Sequence, residues 1–115
     1  MSTILQEPVH AGEFLLSEGP GKISREAIDV APGPGLIAGQ LLGLVTATSQ
    51  FTAYDPEAED GSEKAVCILY AALGESDTVR RGRAVVRLAE VSEALLTGVD
   101  ADAEQALAAH FIILR

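Results

Sequence analysis

Two long hydrophobic runs dominate the middle of the chain. Residues 36–48 (LIAGQLLGLVTAT) are interrupted only by Gln40, threonines and two glycines, and residues 65–73 (AVCILYAAL) are hydrophobic throughout. Two internal glycines would cost a helix about 1 kcal/mol each, whereas β-branched residues favour a sheet. The pattern predicts two buried strands, the first bulged or bent, joined as a bent hairpin around the polar turn of residues 55–64.

The segments that flank the hairpin are shorter. Residues 22–30 (KISREAIDV) predict a strand that ends at a Pro-Gly cluster. From residue 83 onward polar and apolar positions alternate, which predicts a further strand with one apolar face and one partly polar face. The apolar face is predicted to contain Ala84, Val86 and Leu88, and the other face Arg83, Val85, Arg87 and Ala89.

Helical signals are confined to the last quarter of the chain. Ser92 is placed to cap a short helix that Gly98 would end in the left-handed conformation. Asp100 or Asp102 is placed to cap a second helix, and residues 111–115 (FIILR) predict a terminal strand. The fold class predicted is therefore mainly β with small helices.

The N-terminal segment differs in character from the rest. Residues 1–21 combine prolines, glycines and acids with a brief apolar patch, which predicts a flexible arm with at most one short strand, followed by a domain over residues 22–115. An arm that buries little of itself can pair with the sheet edge of another protein. Its available apolar anchors are Ile4, Leu5, Val9 and Phe14.

The amino-acid composition excludes several classes of protein. A chain of 115 residues and 12.0 kDa is one domain, and an aromatic content of only 4% requires an aliphatic core. The formal charge of -9 argues against a nucleic-acid partner. No run approaches the ~20 apolar residues of a membrane span, no signal segment is recognisable, and the single Cys67 is typical of a reducing compartment.

The turn PGPGLIAG raises one enzymatic or binding alternative. Gly33, Gly35 and Ala38 fit the spacing of a dinucleotide-binding turn, which needs a preceding strand and a following helix. Pro34 and the later glycines disfavour that helix, so a Pro/Gly turn entering a strand is the preferred interpretation. A small nucleotide- or metabolite-binding domain that uses Gly33 and Gly35 stays open as the alternative.

Other candidate chemistry is sparse. Two histidines and one cysteine have no metal-ligand spacing, the acids of residues 55–66 fail the calcium-loop pattern, and no catalytic grouping emerges, so we expect no enzyme, no metal and no cofactor. Half of the eight basic residues are concentrated in one segment, which predicts either an interface with an acidic surface or a solvated strand face. These residues are Arg80, Arg81, Arg83 and Arg87.

The order of blocks resembles the head decoration, or capsid cement, proteins of lambda-like tailed bacteriophages. The resemblance rests on Tyr54-Asp55, then Asp60-Gly61, then the Ala-rich strand with Ile68-Leu69. The segments before and after also resemble the family, over residues from about 12 to 115.

This resemblance implies a β-clip-like bent ribbon or incomplete barrel. It also implies homotrimers on the outer surface of the expanded head, at local threefold positions, that stabilise the head against internal DNA pressure. The partners implied are the major capsid protein, through the N-terminal arm, and the chain itself. The protein would be made in the host bacterial cytoplasm and located in the virion.

Overall fold

The computed structural model describes residues 9–115. The elements, in chain order, are β1 Leu15–Glu18, β2 Arg25–Val30, β3 Leu41–Val45, β4 Gln50–Ala53, β5 Cys67–Leu69, β6 Arg80–Val85, β7 Ala89–Val91, a 3₁₀ helix Glu93–Leu95, α1 Ala101–Ala108 and β8 Ile112–Leu114. The prediction of a mainly β protein with small helices is confirmed.

Five of the strands close into a barrel, in the order β2-β4-β3-β5-β6. The strands β2 and β6 pair in antiparallel fashion over their whole lengths, and a parallel contact between Val30 and Phe51 joins β2 to β4. The barrel interior is filled by aliphatic side chains and the thiol of Cys67. The barrel is thus closed, whereas the family resemblance implied an incomplete barrel.

The remaining strands form a three-stranded sheet, β1-β7-β8, that packs with α1 against the outside of the barrel. A second core lies between them, built from residues such as Phe14, Ile68 and Leu107. Leu41 belongs to this outer core and its neighbour Leu42 to the barrel interior. Successive side chains of β3 and β5 therefore enter different cores, which explains why both runs are continuously apolar.

Most predicted elements are present. The strands β3 and β5 pair, with Leu41 opposite Ile68, and all three residues of β5 are buried. They are not consecutive strands of one hairpin as predicted, because β4 lies between them in the chain and pairs with β3 on its other side. Asp100 caps α1, since its carboxylate accepts a hydrogen bond from the Ala103 N–H at 2.7 Å. Ser92 precedes the 3₁₀ helix without a side-chain capping bond.

The strand predicted from residue 83 is wrong in its extent and its faces. The strand β6 begins at Arg80 and ends at Val85, and a separate strand β7 begins at Ala89. Leu88 lies between them with φ 53° and 41% exposure, whereas Val85 is fully buried. The left-handed conformation of Leu88 ends the alternation. The second core covers Val85 and Ala89, which the sequence placed on the partly polar face.

Two glycines of the segment GLIAGQLLG permit close packing. A Cβ at Gly43 would lie 2.6 Å from the Ser62 Cα, and a Cβ at Gly39 would lie 2.5 Å from the Leu95 carbonyl oxygen. Gly39 also has φ 90°, a conformation that side chains rarely adopt. These glycines bring the barrel wall against neighbouring backbone.

Candidate interaction surfaces

The glycine turn does not lead into a helix. Gly33 forms an isolated antiparallel bridge with Ser76, and Leu36 forms one with Leu73, so the turn enters the barrel wall. Its surface concavity also contains Glu75 and Asp77. A phosphate there would meet two carboxylates and no helix N-terminus, so the geometry disfavours the nucleotide-binding alternative.

The Arg80 side chain stabilises this turn through hydrogen bonds. Its guanidinium donates hydrogen bonds to the carbonyl oxygens of Pro34 at 2.7 Å, Gly74 at 3.0 Å and Ala31 at 2.6 Å. Because these three acceptors belong to two different connections, the side chain holds the turn of residues 31–34 against residue 74. The predicted interface role of Arg80 is thus replaced by an internal one.

The other predicted arginines divide into paired and unpaired side chains. Arg81 forms an ion pair with Asp29 at 2.9 Å, and Arg87 pairs with Glu26 and donates to the Ile23 carbonyl at 2.7 Å. The Arg83 side chain is exposed and has no ion-pair partner within residues 9–115. An interface role for this cluster stays a prediction and depends mainly on Arg83.

The predicted arm anchors have different environments. Ile4 and Leu5 lie outside the described residues, and Val9 is half-buried at their border. Phe14 is fully buried in the outer core, and β1 beside it pairs with β7, with Leu15 opposite Val91. The sequence could not show that this apolar patch has a place inside the domain, so Phe14 is corrected from an arm anchor to a core residue.

A surface that the sequence did not reveal lies where β7 and β8 meet the β1–β2 connection. It consists of four exposed side chains, which we call the apolar face: Ile23, Leu88, Phe111 and Ile113, exposed by 46%, 41%, 67% and 43%. Leu88, Phe111 and Ile113 line one shallow concavity, and Gly19 lies between Ile23 and Leu88. The available signal was that Phe111 and Ile113, two residues apart, would share one side of the strand predicted over residues 111–115.

A cavity of about 500 Å³ adjoins the apolar face at the mouth of the barrel. Its walls include Leu44, Phe51 and Val66, its rim carries the Glu26–Arg87 ion pair, and Phe111 belongs to the rim as well. Cys67 lies at its base, where burial raises the pKa of the thiol above its usual value. The thiol is therefore kept neutral and apolar in character.

The acidic side chains differ in whether an arginine of the same chain neutralises them. The acids beside the apolar face each pair with an arginine: Glu18 with Arg25 at 2.7 Å, Glu26 with Arg87, and Glu90 with Arg115. Arg115, the nearest cation, lowers the pKa of Glu90, aided by a hydrogen bond from Ser17. Within residues 9–115, the acids of segments 55–63, 75–77 and 100–104 form no ion pair, so their charge is not neutralised by an arginine of the same chain.

Asp100 links α1 to the barrel. Both of its carboxylate oxygens accept from the Tyr54 hydroxyl at 2.9 Å, and Tyr54 is 7% exposed. Burial, together with the hydrogen bond to this carboxylate, raises the pKa of Tyr54 to about 12. The link is structural, because the phenol and the cap hold the helix in place.

Residues 9–115 contain neither a metal-binding cluster nor a membrane-spanning helix. In residues 9–115 no group of three or more His, Cys, Asp or Glu side chains could hold a metal ion. Over the same residues, no helix has the length and apolar character needed to cross a membrane.

Comparison with known proteins identifies similarity to a protein family. The sequence model of the family described as bacteriophage lambda head decoration protein D matches residues 4–112. No curated protein matches the chain.

Proposed function

The chain belongs to the bacteriophage lambda head decoration protein D family, and on that premise we propose that it decorates the outer surface of an expanded phage capsid as homotrimers. In this proposal the trimers occupy local threefold positions and stabilise the head against internal DNA pressure. The observation that carries the proposal is the family match, which extends over residues 4–112 and so includes nearly the whole chain.

Family membership gives a general role in the phage head, which implies association with the capsid and a location in the virion. The finer proposal names the major capsid protein as the partner. It also assigns the protein a mechanical role without catalysis or cofactor, in which binding free energy alone reinforces the head.

The proposed contact with the capsid protein uses the N-terminal arm. Because Phe14 and β1 are part of the domain, we shorten the proposed arm from residues 1–21 to the residues before Gly12. Gly12 itself donates a backbone hydrogen bond to the Tyr70 carbonyl at 3.0 Å. Ile4, Leu5 and Val9 remain as apolar anchors for a strand added to the sheet edge of the capsid protein.

Co-sedimentation with purified, expanded and undecorated heads tests the proposal. We expect saturable binding with three copies per threefold position, and heads that resist heat and chelator better after binding. Heads that sediment without the protein at saturating concentration, and that gain no resistance, would refute the decoration role.

A truncated chain tests the arm separately. Deleting residues 2–8 is expected to leave the melting temperature within about 2 °C, because the described hydrogen bonds and core contacts of residues 12–18 are retained. Binding to heads should weaken by about tenfold or more if backbone pairing by the arm supplies the affinity. Equal binding by both chains would move the capsid contact to another surface.

A further inference from the structure

We infer that a contact between Gly12 and Tyr70 fixes the point at which the N-terminal arm leaves the domain, and that this contact strengthens the binding of the arm to the capsid protein. The inference rests on the proposed function, because the arm acts on the capsid only in that proposal. It goes further in assigning the position of the arm to two residues of the domain. A close approach of backbone to ring, a hydrogen-bonded turn and a fixed aromatic side chain carry it.

Gly12 packs directly against the ring of Tyr70. A Cβ at residue 12 would lie 2.8 Å from both Cε1 and the hydroxyl oxygen of Tyr70, well inside the ~3.5–4.0 Å that is optimal between carbon atoms. The Gly12 N–H also donates a hydrogen bond to the Tyr70 carbonyl oxygen at 3.0 Å. Gly12 has φ 69°, a conformation that glycine adopts without the steric cost of a Cβ. The contact and the backbone conformation therefore both require a glycine at this position.

The residues around Gly12 form a turn that reciprocal hydrogen bonds close. The Glu13 N–H donates to the His10 carbonyl oxygen at 3.0 Å, and the His10 N–H donates to the Glu13 carboxylate at 2.8 Å. The Leu15 N–H donates to the Gly12 carbonyl oxygen at 3.0 Å, which joins the turn to the first residue of β1. The first residues of most domains are poorly ordered unless they are tied down. This turn supplies such an attachment at the end of the proposed arm.

The Tyr70 ring is itself held in place by two other strands. It lies under the Arg25 guanidinium, whose carbon is 4.1 Å from the ring centroid, in a cation–π contact. Arg25 of β2 donates two hydrogen bonds to the carboxylate of Glu18 in β1, at 2.9 and 2.7 Å. The Tyr70 N–H donates to the Arg83 carbonyl oxygen of β6 at 2.8 Å. Because β1, β2 and β6 all hold Tyr70, a side chain at residue 12 would displace the turn more readily than the ring.

A fixed attachment point lowers the entropic cost of binding through the arm. Ordering a chain segment opposes binding because the segment loses conformational entropy, and a segment that is ordered beforehand binds more tightly for that reason. With the Gly12–Tyr70 contact in place, residues 10–13 already have their hydrogen bonds before the arm meets the capsid protein. Without the contact, binding would have to order these residues. Loss of the contact should therefore weaken head binding although the sequence of the arm is unchanged.

Two matched glycine variants of the full chain test the inference. Gly12→Ala places a Cβ against the Tyr70 ring, whereas Gly21→Ala places one in open space, with no atom beyond its adjacent residues within 4 Å. Gly21 has φ 63°, so the two substitutions have a similar backbone cost and differ in the contact with Tyr70. Co-sedimentation should show head binding about tenfold weaker for Gly12→Ala, equivalent to about 1.4 kcal/mol, and nearly unchanged for Gly21→Ala. In a full chain that carries Ile4→Ser and Leu5→Ser, Gly12→Ala should weaken binding by less, because all three changes act on one interaction.

Amide hydrogen exchange, measured by NMR, tests the contact without heads. The amide of residue 12 should be protected in the wild type and in Gly21→Ala, and should exchange about tenfold faster or more in Tyr70→Ala and in Gly12→Ala; Gly12→Ala keeps the test valid if Tyr70→Ala does not fold.

The outcomes separate this inference from the proposed function. An unprotected Gly12 amide in the wild type overturns the inference, as do equal head affinities of Gly12→Ala and Gly21→Ala. An undiminished effect of Gly12→Ala in the chain with Ile4→Ser and Leu5→Ser also overturns it, because the effect would then not act through the arm. Wild-type protein that does not bind heads refutes the decoration role and with it the effect of the contact on binding, while the exchange rate still decides whether the contact holds the turn.

Discussion

Replacing Phe14 by Ala measures how firmly the segment before β1 belongs to the domain. Phe14 is 0% exposed and packs in the outer core with Val91, Leu107 and Ile112. Truncation of a buried Phe removes its transfer free energy and leaves a cavity, for a cost of about 3–5 kcal/mol. A chain of 115 residues loses about 4 °C of melting temperature per kcal/mol, so we expect a decrease of about 12–20 °C.

Urea denaturation followed by circular dichroism, together with thermal melting, provides the assay. The neighbouring Leu16→Ala is the matched control, because Leu16 is 56% exposed and should change stability by less than about 1 kcal/mol. If Phe14→Ala cost no more than Leu16→Ala, Phe14 would not be a core residue and the arm would extend to residue 21 as the sequence predicted. Weaker head binding without loss of stability would give the same answer.

Three further substitutions test other contacts. Arg80→Ala should cost about 1–2 kcal/mol in urea denaturation, since three backbone carbonyls, one of them in a part-buried hydrogen bond, lose a charged donor. Arg81→Ala should cost under about 0.5 kcal/mol because its ion pair is exposed, and equal effects would refute the structural role of Arg80. Gly43→Ala should destabilise by about 1–3 kcal/mol because its Cβ meets backbone 2.6 Å away, and an unchanged urea midpoint would contradict that. The pKa of Tyr54 is raised to about 12 in the folded state. The folded state therefore holds this proton more tightly than the unfolded state, and the free energy of unfolding falls as pH rises from about 10 to 12. In Tyr54→Phe this decline should be smaller, and a pH profile identical to that of the wild type would exclude the effect.

Local chemistry predicted a large part of the fold. The hydrophobic runs predicted β3 and β5, because a strand covered on both faces has no polar alternation to obscure it. Asp100 was predictable as a cap, since a short acid before an Ala-rich segment satisfies a backbone N–H of the first turn. The bulged or bent form of β3 was predictable from its glycines, because a Gly inside a strand often marks a bulge or a close backbone approach.

Features of the fold that depend on contacts between distant segments could not be predicted from the sequence. The closure of the barrel through Val30 and Phe51 joins segments that no local pattern relates. The break between β6 and β7 arises from the left-handed backbone of Leu88. Because leucine disfavours this conformation, the sequence predicts a continuous strand there instead. Likewise, whether Arg80 meets a partner or three carbonyls of its own chain depends on where two distant turns come together.

In a small domain with few aromatic residues, the sequence does not show whether an arginine or an aromatic residue belongs to the core or to an interface. The burial of each side chain in the fold decides between the two. Arg80 and Phe14 belong to residue types enriched at interfaces, but both have their contacts inside the domain. Phe111 lies in a terminal segment whose pattern indicated only a strand, and it is the aromatic side chain that the folded domain leaves exposed. Interface residues are therefore better sought among exposed side chains on a strained backbone than among residues whose type alone suggests binding. In this chain that criterion selects Phe111 of the apolar face, whereas residue type alone selected the arginine segment.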